Sequence, residues 1–221
     1  ETKLGTLGVR WLGESTISEV GALKATDLNV SVAAESGKDA KLTNSGAMTV
    51  EGKFAVELED GTQGFVFENL AEEDQQASIG SWTIGENQSF VNGSSTAVAD
   101  MTVNELTIAG GSLETVGKST LTVDKLTLES GEMTLGSTVV GGGLAVASND
   151  SVITIGKAGQ DESETAKASI VKTDATFTNG TLKFEGQGQL AQDAGKTLNF
   201  SKVAVVNNSQ LVSGAALDSD T

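Results

Sequence analysis

The side chains able to do chemistry in this chain are almost all carboxylates. Thirty Asp and Glu stand against fourteen Lys and Arg, Arg10 is the sole arginine, and His, Cys, Tyr and Pro do not occur. Thiolate and imidazole catalysis, disulfides and Cys/His zinc sites are therefore excluded by residue type. What remains is carboxylate chemistry of the kind that cleaves glycosidic bonds, which needs two acids at a defined separation with one of them raised in pKa by burial. No stretch of the sequence places acids in phase with its apolar positions.

Individual candidates resolve into structural readings. Glu105 and Lys125, and Asn104 and Asp124, lie one period apart in the repeat described below, at polar corners where a solvated turn accounts for them. Gly141-Gly142-Gly143 lacks the Lys-Ser/Thr and the helix of a phosphate loop and reads as a tight corner. No Gly-Gly-x-Gly-x-Asp calcium motif occurs, and Asp218-Ser219-Asp220 reads as a frayed tail. Trp11 and Trp82 are expected in cap or core rather than as a sugar-stacking row. Threonines such as Thr107, Thr122, Thr127 and Thr134 would align into outward rows, a pattern that could bind an ordered surface such as ice but that strand preference alone accounts for. No catalytic, cofactor-binding or metal-ligating residue is named, and no cofactor is implied.

The elements that position these residues come from an internal repeat. Residues 101–116, MTVNELTIAGGSLETV, align with 121–136, LTVDKLTLESGEMTLG, at a spacing of 20. The second unit carries three alternating apolar couples, Leu121/Val123, Leu126/Leu128 and Met133/Leu135, each split by one Thr. Alternation of this kind is the period of a strand with one buried face. The unit is expected to fold as three strands of about four residues with corners at Asp124-Lys125 and Ser130-Gly131, too short to stand alone and so stacked on copies of themselves. The inward set is Val103, Leu106, Ile108, Leu113, Leu121, Val123, Leu126, Leu128, Met133 and Leu135.

The couples Leu28/Val30/Val32, Phe54/Val56/Leu58, Leu144/Val146, Ile153/Ile155, Leu182/Phe184 and Val203/Val205 extend the scheme, and 45–50 and 195–200 echo parts of the unit. The fold class expected is all-β, a single-stranded right-handed parallel β-helix with coils of about 20 residues, about ten coils and roughly 50 Å of stacked strands. Residues 1–25 are expected to form an N-terminal cap, with a capping box from Thr16 to Glu19. Residues 26–212 form the coils and 213–221 a tail. Insertions are placed near 69–78, where Asn69 starts a short helix, and near 159–166, an acidic loop. The competing fold is an antiparallel sandwich of immunoglobulin type.

Thr-Leu-Thr-Val at 120–123, Leu-Thr-Leu-Glu-Ser-Gly at 126–131, Gly-Thr-Leu-Lys-Phe at 180–184 and the Asn/Gly/Ser/Thr corners resemble the passenger region of bacterial autotransporters over roughly 25–215. The resemblance implies a β-helix exported to the surface of a Gram-negative cell and working in adhesion, aggregation or display. The freedom from Cys fits that family, whereas the C-terminal membrane barrel is missing, so the chain is expected to be a segment of a longer protein or a cleaved passenger. An export signal would already be gone, since the chain starts Glu1-Thr2-Lys3. The functional expectation is a non-catalytic extracellular surface protein binding a host or bacterial receptor or glycan, with possible end-to-end self-association. A polysaccharide lyase or hydrolase is the alternative. A net charge of −16 argues against nucleic acid, and no apolar run approaches a bilayer span, so membrane insertion is not expected.

Overall fold

A computed structural model describes residues 4–12, 14–17, 23–33, 39–72, 75–116, 118–135, 137–148, 150–155, 169–171, 175–177, 179–185, 190–192, 195–200 and 202–205. The strands in chain order are β1 (Leu4–Leu12), β2 (Glu14–Ile17), β3 (Leu23–Ala33), β4 (Asp39–Asn44), β5 (Met48–Leu58), β6 (Gly64–Asn69), β7 (Ala77–Ile84), β8 (Gln88–Asn92) and β9 (Asp100–Thr115). They continue as β10 (Thr120–Leu135), β11 (Ser137–Val146), β12 (Val152–Ile155), β13 (Ser169–Val171), β14 (Ala175–Phe177), β15 (Thr181–Phe184), β16 (Leu190–Gln192), β17 (Leu198–Phe200) and β18 (Val203–Val205). No described residue is helical, and every strand pairing among them is parallel, which rules out the antiparallel sandwich. The chain is a β-solenoid.

Three buried columns run through the stack, and the apolar couples supply them. On the first face Leu23/Ala25, Met48/Val50, Ala77/Ile79, Met101/Val103 and Leu121/Val123 succeed one another in register. On the second, Leu28, Phe54, Trp82, Leu106, Leu126 and Leu144 stack in the same way. The third stacks Leu42, Phe67, Phe90, Leu113, Met133, Ile153 and Leu182. All ten residues assigned inward from the repeat are at most 2% exposed. Parallel strands of this length gain little by themselves; burial of an apolar couple on each leg, at about 1.5–3 kcal/mol per side chain, is what holds them.

The coils are unequal. Met101 to Leu121 is the expected step of 20 residues, but Leu23 to Met48 is 25, Met48 to Ala77 is 29 and Leu121 to Thr138 is 17. Among the described residues the longest rows of paired strands have nine members rather than about ten, such as β1-β3-β5-β7-β9-β10-β11-β13-β16, or roughly 40 Å at about 4.8 Å per strand. A second difference lies at the corners. β10 is one extended run of 16 residues that bends at Asp124-Lys125 and again at Ser130-Gly131, so the expected four-residue strands are legs of a continuous strand. Its register with β9 passes the first bend unbroken and shifts only around Ser130, where Gly131 takes φ 97°.

Two sequence echoes prove out of phase. Met48 lies in the column of Met101 and Leu121, not in that of Met133, and β17 pairs β14 in a separate two-stranded sheet. All three faces carry the same in-out alternation, so a local match does not say which face a segment occupies.

The helix expected from Asn69 does not form. Asn69 closes β6 with its side chain fully buried, and residues 70–72 and 75–76 form an irregular connection in which the Leu70 N–H donates to the Asn44 carbonyl at 2.7 Å. A buried amide partner outweighs the N-cap preference there. The segment expected to cap the N-terminal end contributes coil strands, with β1 beside β3 and β2 beside β4. Thr16 is extended within β2, and Glu19 lies outside the described residues, as do the acidic loop near 159–166, the couple Leu211/Val212 and the tail.

Candidate functional site

The middle residue of each couple points out, so the first face lines up Ser78, Thr102 and Thr122 across β7, β9 and β10. Gln75 and Gln76, just before β7, lie beside this row. They are anchored: the Gln75 N–H donates to the Glu72 carbonyl at 2.8 Å, and the Gln76 carbonyl accepts from the Met48 N–H at 3.0 Å. Between this wall and the row of hydroxyls lies an open groove of about 320 Å³.

Asp100 stands at one edge of the groove. Its Oδ1 accepts the Thr120 N–H at 3.0 Å, and that same N–H also donates to the Ala99 carbonyl at 3.1 Å. The carboxylate is thus held by main chain of the next coil. The side chains of Gln75, Gln76, Ser78, Thr102 and Thr122 make no hydrogen bond to any described residue. Asp100 is the one acid among the described residues lining the groove, so the pair of carboxylates required for glycosidic cleavage is not assembled there from described residues.

The residues singled out from the sequence fall elsewhere. Lys125 and Glu105 are register partners 3.9 Å apart, with both side chains more than 60% exposed, a pairing that adds little to stability in water. Gly141-Gly142-Gly143 lies within β11 at the corner, where the two residues between Val140 and Gly143 face the single residue between Val123 and Lys125. A Cβ on Gly142 would stand 2.5 Å from Asp124 Oδ1, an exposed side-chain end that can swing aside. Trp82 is core, packed against Phe54 at 4.9 Å and Phe90 at 5.0 Å between ring centres, with Phe67 edge-on at 5.5 Å. Trp11 lies in β1, with its side chain outside the described set, and Asp218-Ser219-Asp220 lies outside it altogether. The threonines do form outward rows, Thr83-Thr107-Thr127 on the second face and Thr134-Thr154 on the third. No group of three or more acids close enough to hold a metal ion occurs among the described residues.

Sequence reasoning missed two features. One is a ladder of buried amides: Asn44 Nδ2 donates to Asn69 Oδ1 at 2.9 Å and Asn69 Nδ2 to Asn92 Oδ1 at 2.9 Å, while Asn92 Nδ2 reaches the Ala99 and Thr120 carbonyls at 3.2 and 3.1 Å. The signal was present, since Leu42-Thr43-Asn44, Phe67-Glu68-Asn69 and Phe90-Val91-Asn92 all put Asn on the inward phase. The other is the groove itself, whose lining comes from three successive coils, Gln75 to Ser78, Asp100 to Thr102, and Thr120 with Thr122. No known protein family, curated protein or solved structure matches this chain.

Proposed function

We propose that this protein is a non-catalytic surface protein of the autotransporter-passenger kind, displayed outside a Gram-negative cell and used for attachment, aggregation or display. The observation that carries the reading is the row of outward Ser and Thr side chains, held in register by the buried couples and not consumed by internal hydrogen bonds. A scaffold of that kind presents preformed polar contacts to a receptor or a glycan with little ordering cost on binding. The excess of acids keeps the rod soluble and disfavours anionic partners such as nucleic acid. Freedom from Cys agrees with passage through an outer-membrane translocator, as the resemblance implies.

Display of the chain on a non-adherent Gram-negative strain tests the reading. Attachment to epithelial cells or extracellular matrix, or clumping of the displaying cells, is expected to exceed that of cells displaying an unrelated solenoid. Equal behaviour in all three assays overturns it. So does turnover of a polysaccharide by the purified chain that is lost in Asp100→Asn, which would identify an enzyme instead.

A further inference from the structure

We propose that the groove between Gln75-Gln76 and the Ser78-Thr102-Thr122 row binds a neutral oligosaccharide lying along the solenoid axis. The proposal deepens the attachment reading and rests on it, naming a ligand class for one face. Three observations carry it. The floor repeats a hydroxyl once per coil, because Ser78, Thr102 and Thr122 are register partners, and parallel strands stack about 4.8 Å apart, close to the length of one hexose unit in an extended chain. The five polar side chains of the wall and floor have no hydrogen-bond partner among the described residues, so their donors and acceptors are open to a ligand. Asp100 is already oriented by the Thr120 N–H, and a carboxylate held in this way accepts bonds from vicinal hydroxyls.

The same residues define what the groove rejects. Among the described lining residues there is no Lys or Arg, Asp100 contributes a negative charge, and the whole chain carries −16, so uronate and sulfate sugars are repelled. No aromatic ring lies among the described lining residues to stack on a sugar face, so affinity rests on hydrogen bonds shared with water. A dissociation constant on the order of 1 mM follows for a trisaccharide, of the size that multivalent display on a cell surface strengthens.

The test is saturation-transfer and titration NMR of the purified full chain with cellotriose and maltotriose, and with trigalacturonate as the acidic counterpart. Saturable binding of at least one neutral trisaccharide is expected. It should weaken about tenfold in Asp100→Ala and in Thr102→Val, and stay unchanged in Thr107→Val, which alters an outward Thr on the second face. The valine changes are close in shape to Thr and suit a strand, so the fold is retained, and the melting temperature of each variant confirms it. No binding by either neutral sugar at about 10 mM, binding that ignores both groove variants, or equal binding of trigalacturonate each overturns the proposal. Displayed cells that attach although the purified chain binds no sugar would sink the groove assignment and leave attachment standing. Sugar binding without attachment would do the reverse.

Discussion

At the scale of the residue, burial penalises an uncompensated charge and the loss of an amide's hydrogen-bond partner. Leu126 is fully buried between Leu106 and Leu144 in the second column. Replacing it with Asp buries an uncompensated carboxylate and should cost about 4 kcal/mol or more, read as a large fall in the urea midpoint. An unchanged midpoint would mean that the column is not the core. Asn69 makes the opposite point. It accepts from Asn44 and donates to Asn92, so Asn69→Leu strands one buried donor and one buried acceptor. Despite the gain in apolar surface, the variant is expected to be less stable by about 2–4 kcal/mol. Stabilisation by this substitution would show that the ladder contributes nothing.

At the scale of the element, a strand turns a corner only where its backbone can approach the coil beneath. At Gly131 φ is 97°, and a Cβ there would collide with the Gly111 carbonyl oxygen of the previous coil. Gly131→Ala combines left-handed strain with that collision and should destabilise by about 2 kcal/mol or more. Gly143→Ala is the control within β11, since its Cβ would meet only Lys125 Cγ at an ordinary 3.7 Å. Its urea midpoint should lie within experimental scatter of the parent. If the two variants behave alike, the corner geometry does not depend on glycine. The bend at Asp124-Lys125 needs no such device, because the register with β9 runs through it.

At the scale of the whole molecule, charge sets behaviour more than any single pair does. Thirty acids against fourteen basic residues repel one another along the rod, while the Lys41–Glu68 contact at 2.7 Å and its like offset only a part. Raising ionic strength from low to physiological shortens the Debye length to about 8 Å and should raise the melting temperature by about 2–4 °C. Calorimetry at matched pH reads this directly, and a fall with salt would show that net attraction prevails. The same screening should favour contact between copies. Light scattering is expected to report growth of end-to-end oligomers with salt, and a monomer at every ionic strength would remove self-association from the proposed function.

The solenoid was legible in the sequence because alternation and repeat spacing are local properties: the couples at 101–135 name their inward residues without reference to any partner. Excluding imidazole and thiolate chemistry needed only the composition. The choice of face was not legible, since Met48-Thr49-Val50 and Met133-Thr134-Leu135 read alike and only pairing with Ala77 or with Ile153 separates them. Coil length escaped for the same reason, because steps of 17 to 31 residues leave each couple intact and change only what lies between couples. The Asn69 amide shows tertiary structure overriding a local signal: an N-cap gains one bond to its own backbone, whereas the buried ladder gains two to its neighbours. The groove was decided wholly by stacking, which brings Gln76, Asp100 and Thr120 side by side from three successive coils.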